Sequence, residues 1–379
     1  MIFRPTKLPR WTTNPTDPVL VTAIIEPSEA IKDQGFIAEK PPFSTMNWLL
    51  NLMYVWTQWF STAKSETARI GLSATIEQAT AFNLDYVSRR VSTFGYGGNS
   101  VHMKYAFGKI YISTSTNTVI KINQLTKAVE ATFTGFSGPY VIESDGTRLW
   151  IVNRTNSTIS VIDPTDGSLI RTITYAELGA ATPNGIAFDG IDSMWTGPDG
   201  DVGHVKKINI NTFVVTDIAD AAFNCPRAFV CDGTHMWVGN YSGKNAVKVD
   251  ISTNTVTATV ELDVSAALVS GGVFDGITQS VWFCGNDQVY KVNPDTETLT
   301  TTLNLAGSSN PTKMTFDGLR VWVCKYGNDT IDQIDPYSAT VTRTFTFPGT
   351  TPNPLGICTD GLFVYAAGFS TSNIFIMPA

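Results

Sequence analysis

Charge is scarce in this chain, and so are the residues that carry most enzyme chemistry. Only 16% of its 379 residues are Asp, Glu, Lys or Arg, and 26 basic against 33 acidic side chains leave a net charge of −7. A general nucleic-acid binder needs a basic face for the phosphate backbone, so this balance argues against that class. Histidine occurs three times, at His102, His204 and His235, in three different repeats of the pattern described below. No His-x-Glu-x-x-His or comparable spacing brings two of them to one metal, and each reads as an ordinary hydrogen-bonded side chain.

The five cysteines, Cys225, Cys231, Cys284, Cys324 and Cys358, are odd in number and form no Cys-x-x-Cys pair. That argues against a disulfide framework and a zinc site. Cys284 and Cys324 each stand two residues after a tryptophan and read as small buried residues. Unpaired thiols fit assembly in a reducing cytoplasm. No run of roughly 18 apolar residues is present, so no membrane insertion is expected. The opening Met1-Ile2-Phe3-Arg4-Pro5 lacks a cleavable apolar core, so no secretion signal is expected. Gly95-Tyr96-Gly97-Gly98 is not followed by the Lys-Ser/Thr of a phosphate loop. Pro198-Asp199-Gly200-Asp201 is the densest acidic loop and has oxygens suited to Ca²⁺. Its spacing does not match an EF-hand, and turn formation accounts for it. No cofactor and no metal is expected.

What the chain does have is a repeated phrase: an apolar run, Asp-Gly, a few residues, then a hydrophobic residue and Trp. It occurs at Asp145 with Trp150, Asp189 with Trp195, Asp232 with Trp237, Asp275 with Trp282 and Asp317 with Trp322. A sixth copy pairs Asp360 with Tyr365, and a degenerate first copy reads Phe107-Gly108 then Ile110-Tyr111. The Asp-to-Asp steps are 44, 43, 43, 42 and 43 residues. A period of about 40–45 residues built from strand-like units is the range of propeller blades. Asp-Gly reads as a tight two-residue hairpin turn, with Gly taking positive φ. Each repeat has room for four short antiparallel strands, and the repeated Trp is best used as packing between blades.

The fold class expected is therefore mainly β: a seven-bladed β-propeller over residues 88–379, resembling NHL-type and lactonase-type domains in repeat texture. The last repeat holds only three strands. Residues 88–95, whose text Arg90-Val91-Ser92-Thr93-Phe94 resembles Arg343-Thr344-Phe345-Thr346-Phe347, supply the missing outer strand and close the ring.

The region before the propeller has a different character. Residues 1–40 are rich in proline and turns, a helix is expected over 44–60, and 63–87 reads as a linker with weak helical pattern. Asn47, Asn51, Tyr54 and Gln58 form one polar stripe on that helix. Apolar stripes, one containing Trp56 and the other Trp48, Leu52 and Trp59, cover roughly two thirds of its circumference. Such a helix needs cover from several neighbours. The text Lys32-Asp33-Gln34-Gly35-Phe36, Lys40-Pro41-Pro42, Asn47-Trp48-Leu49 and Tyr54-Val55-Trp56, with Trp11 after Leu8-Pro9-Arg10, resembles an N-terminal module of tailed-bacteriophage tail fibre and tail spike proteins. By that resemblance residues 1–62 are a virion-attachment module anchored through Trp11, Trp48, Leu52, Trp56 and Trp59. The partners implied are other virion tail proteins, in a homo-oligomer or other multi-copy arrangement, and the location implied is the virion, assembled in the host cytoplasm.

On the propeller, the loops between second and third strands lie on the face opposite the Asp-Gly turns. They carry Asn153, Arg154, Asp199, Asn240, Tyr241, Asn286, Tyr326, Asn328 and Phe369. Tyr241, Tyr326 and Phe369 offer stacking surfaces, and the amides and charges offer hydrogen bonds, for a host surface glycan or a protein. No nucleophile–base pair stands out in the sequence, so the expected role is binding rather than catalysis. The rival expectation is a propeller lyase, hydrolase or lactonase acting on host-surface polysaccharide. A third is an adaptor that binds another virion protein.

Overall fold

A computed structural model describes residues 92–379, apart from 180–181, 201, 263–267, 306, 308, 348 and 350–351. The expectations for residues 1–91, including the helix and the five anchoring residues, lie outside the described residues. Among the described residues, twenty-eight strands form seven four-stranded antiparallel sheets. These are the blades of a β-propeller. The inner strands are Ser100–Ala106, Pro139–Ser144, Pro183–Phe188, Pro226–Cys231, Gly271–Asp275, Pro311–Phe316 and Pro354–Thr359 in blades 1 to 7. In the first six blades the strands pair in chain order from inside to outside.

Blade 7 is completed from the other end of the described chain, as the repeat count requires. Its outer strand is Ser92–Gly95, which pairs antiparallel with Asn373–Pro378 in the register Ser92↔Ile376 to Gly95↔Asn373. Tyr96 continues the join by donating its N–H to the Ser372 carbonyl at 2.9 Å. The sheet thus has no early edge, which limits exposed backbone.

Each repeated aromatic is fully buried and packs on the following blade. Trp150 lies with Met194 and Ile208 of blade 3, and Trp237 with Val281 and Phe283 of blade 5. Tyr365 packs with Ile110, Ile112 and Ile122 of blade 1 and so closes the circle. Burial of each such ring contributes on the order of 2–3 kcal/mol, and the ring arrangement repeats that contribution seven times.

The Asp-Gly phrase has a richer role than a two-residue hairpin. In blade 4 one oxygen of Asp232 accepts the N–H groups of Thr234 and His235, and the other accepts the indole N–H of Trp237 at 2.9 Å. The same clamp joins Asp145 to Trp150, Asp189 to Trp195, Asp275 to Trp282 and Asp317 to Trp322, while in blade 7 the Tyr365 hydroxyl donates to Asp360. The turns are Asx turns longer than expected, because the carboxylate must reach both the turn and the indole. The tight two-residue hairpin forms only in the degenerate first copy. There Phe107 and Gly108 both have positive φ and Ala106 faces Lys109.

A further device ties neighbouring blades. The third-strand residue opposite Trp195, Trp237 and Trp282 is a lysine: Lys207, Lys248 and Lys291. Each ammonium lies 5.2–5.6 Å from the centre of its tryptophan ring. Each then donates to a carbonyl in the third-to-outer turn of the next blade, at Ile251, Pro294 and Pro336. Lys121 does the same from opposite Tyr111, reaching the Pro164 carbonyl at 2.9 Å. The apolar stem covers the ring while the charge reaches a carbonyl of the next blade; the Pro164 carbonyl also accepts the Tyr111 hydroxyl, at 3.1 Å.

Candidate functional site at the mouth of the channel

The inner strands enclose a central channel of about 790 Å³. Its walls come close because several inner strands carry glycine where they meet the next blade. A Cβ on Gly185 would sit 2.0 Å from the Arg227 carbonyl oxygen, and one on Gly271 would sit 2.6 Å from that of Thr312. By register, the equivalent places in blades 1, 4, 6 and 7 are His102, Ala228, Lys313 and Gly356. Only His102 and Lys313 of this row carry long polar side chains into the lumen.

His102 accepts the Ile142 N–H on Nδ1 at 3.3 Å. Its pKa is held well below the ordinary value, first by burial and then by the nearby Lys313 and Lys104 charges. The ring is therefore neutral, with its proton on Nε2. Lys104, below it, is paired with Glu143 of blade 2. Lys313 donates to the Ser270 carbonyl at a long 3.4 Å. Burial, with Arg227 adding repulsion, brings its pKa down from 10.5 to about 8. Both side chains are partly solvent-accessible along the lumen, yet protein atoms surround them on every side, and that enclosure drives the shifts.

Above them, on the face opposite the Asp-Gly turns, a chain of contacts crosses three blades. Asp199, in the second-to-third-strand loop of blade 3, is paired with Arg154 of blade 2 and with Arg227 of blade 4, the latter at 2.8 Å. Arg154 lies over the Tyr140 ring at 4.6 Å, and Arg227 lies over the Tyr241 ring at 3.5 Å. Cys225 adds an S–H contact to Asp199 at 3.4 Å and accepts the Gly200 N–H. Burial alone would raise the Asp199 carboxyl, but the Arg227 and Arg154 guanidiniums outweigh it and hold it below its ordinary value. The result is a continuous strip at the channel rim, with a tyrosine ring at each end and three charges of alternating sign between them.

The structure thus unites Arg154, Asp199 and Tyr241 from the sequence candidates. On the other side of the same face it brings Tyr326 and Phe369 together, ring centres 6.4 Å apart. Asn328 accepts the Thr330 hydroxyl and donates weakly to the Gly307 carbonyl. Asn286 is exposed in a tight turn with Asp287, both at positive φ. Asn153 and Asn240 are placed differently from the rest. Both are buried and their amides are engaged: Asn153 donates to Ser160 and Thr158 of its own blade, and Asn240 to Asn245 and to the Ala222 carbonyl in the outer strand of blade 3. His204 pairs with Asp217 on the outer part of blade 3, and His235 lies beside the Asp232 turn at the opposite face. Among the described residues no group of three or more His, Cys, Asp or Glu side chains is placed to hold a metal.

Sequence reasoning missed Tyr140, Arg227 and Lys313. A signal was present: Pro139, Pro226 and Pro311 each open an inner strand, and the residues just after them face the channel or its rim.

No family model matches the chain, and no curated protein matches it. Solved structures do resemble it. Virginiamycin B lyase from Staphylococcus aureus superposes with a TM-score of 0.66 at 14% identity, over 76% of this chain and 99% of the lyase. The β-propeller domain of Cps50 (Swd1) from Myceliophteria thermophila gives 0.62 at 13%, covering 76% of this chain and 99% of that domain. Hydrazine synthase from Kuenenia stuttgartiensis gives 0.62 at 16%, covering 76% and 97%. At such identities the likeness is one of fold, and it matches the seven-bladed ring expected from the repeats.

Proposed function

We propose that this chain is a virion tail component of a tailed bacteriophage, a fibre, spike or adaptor, whose propeller is a binding domain for a glycan or protein of the host surface. The observation that supports the binding role most is the rim: Arg154, Asp199, Arg227 and Tyr241 locked together, with Tyr326 and Phe369 on the same face. Flat aromatic and guanidinium surfaces held in place are what a sugar ring stacks on, because little side-chain entropy is lost on binding. The attachment role rests on the resemblance of residues 7–60 to phage tail modules and on the wide apolar surface expected of the 44–60 helix, which a sister subunit or another tail protein would cover.

Two measurements test the two halves. The full chain should bind at least one purified bacterial surface polysaccharide, and Arg227→Ala together with Tyr326→Ala should weaken that binding by tenfold or more. Absence of any such binding would sink the host-surface role and favour an adaptor. Trp48→Ala with Trp56→Ala should yield particles lacking this protein while the soluble protein still folds. Particles that keep normal copy numbers of the double mutant would rule out anchoring through that helix. One observation favours the rival reading of a polysaccharide lyase, hydrolase or lactonase: Lys313, an amine of lowered pKa in the lumen, is a candidate proton acceptor. Release of oligosaccharides by the purified protein, abolished in Lys313→Met, would establish that reading instead.

A further inference from the structure

The channel mouth holds more positive than negative charge, on a chain whose net charge is −7. Lys104 is neutralised by Glu143, and a single carboxylate, Asp199, serves both Arg154 and Arg227. Among the described residues Lys313 has no carboxylate within ion-pair distance, and its hydrogen bond to Ser270 is long. The aspartates that line the far end of the lumen, Asp189 and Asp232, are each engaged by a turn and an indole N–H. Cys284 and Cys324, behind Lys313, stay as thiols because burial raises both. An ammonium enclosed in this way without a counter-ion is unfavourable, and a bound anion would relieve it.

We propose that the channel mouth is a binding site for an acidic sugar, whose carboxylate or phosphate substituent is held by the Lys313 ammonium with the neutral His102 beside it. A lumen of about 790 Å³ accommodates a monosaccharide unit with its substituent. The strip of Arg154, Arg227 and Tyr241 then carries the neighbouring part of the glycan. This assignment rests on the glycan-binding reading and narrows it from glycans in general to anionic ones.

The test uses the full chain on an array of bacterial polysaccharides that contains uronate- or phosphate-bearing glycans, carboxyl-reduced or dephosphorylated forms of the same glycans, and neutral glycans. The glycans bound should be acidic, and their neutralised forms should bind at least tenfold more weakly. Lys313→Met keeps the stem and removes the charge; it should lose roughly tenfold to a hundredfold in affinity, the range for a hydrogen bond to a charged group. Wild-type affinity should fall as pH rises through about 8, where the ammonium titrates. Equal binding of acidic and neutralised forms by the wild type would overturn the assignment while leaving the rim reading intact. So would unchanged affinity in a folded Lys313→Met. A wild-type chain that binds no glycan on the array would refute both.

Discussion

Replacing Asp275 by alanine should be among the most damaging single changes to this propeller. The carboxylate is fully buried and accepts four hydrogen bonds: Ile277 N–H at 3.1 Å, Thr278 N–H at 2.6 Å, the Thr278 hydroxyl at 2.5 Å and the Trp282 indole N–H at 2.7 Å. Hydrogen bonds to a charged group contribute about 1.5–3 kcal/mol each. Their losses do not add, since water can reach part of an opened turn. The indole N–H has no such recourse, because Trp282 is fully buried against blade 6. The unsatisfied indole and one turn amide set the scale, so Asp275→Ala should cost about 3–5 kcal/mol. At about 2–4 °C per kcal/mol for a large domain, that is a fall of roughly 6–20 °C in thermal midpoint. Asp275→Asn keeps one good acceptor and should cost about half as much. The exposed Asp295→Ala serves as the control and should stay within about 0.5 kcal/mol of wild type. Urea unfolding followed by tryptophan fluorescence gives the comparison. If Asp275→Ala lies within about 1 kcal/mol of the control, the clamp is not what fixes the blade, and the reason for the Asp-to-Trp spacing must be sought elsewhere.

Two other outcomes follow from the same framework. Deleting residues 1–95 removes the strand Ser92–Gly95 and opens the Asn373–Pro378 edge, so the remaining chain should aggregate or unfold at lower temperature, as size-exclusion chromatography and calorimetry would report; a monomer with unchanged midpoint would show that closure by this strand is dispensable. Burial would raise the Asp232 carboxyl, but the Thr234, His235 and Trp237 bonds outweigh it and hold its pKa below the ordinary 3.8. A depressed folded pKa means stability that is complete above the unfolded value and is lost as pH falls through the folded one. Asp232→Asn should therefore be less stable than wild type at pH 7 yet show a shallower loss as pH falls below the ordinary 3.8; parallel curves would mean that this carboxylate is not linked to folding.

The ring was legible from the order of residues alone. The Asp-Gly-to-Trp phrase is local: a turn needs a carboxylate and a residue that tolerates positive φ, and a blade needs one large ring at a fixed distance from that turn. Because the same local problem recurs about every 43 residues, the count of blades and the missing outer strand could be read without coordinates. Lysines stand opposite three of the five tryptophans, Val161 and Gln333 opposite the other two, and their meaning was not legible, since each lysine acts on the carbonyl of the next repeat. The mouth of the channel was legible only in part. Tyr241, Asp199 and Arg154 stood out as polar or aromatic loop residues, yet nothing local to any of them says that Arg227 links them. Asn153 and Asn240 resemble Asn286 in sequence, but the fold turns their amides inward and leaves Asn286 outside. Pro311 marked the start of the strand that carries Lys313, but nothing local said that the ring would bring this lysine near His102 and Arg227 with no carboxylate among the described residues to pair with it. Charge balance across seven inner strands is a sum over residues more than 200 positions apart, and only tertiary structure performs it.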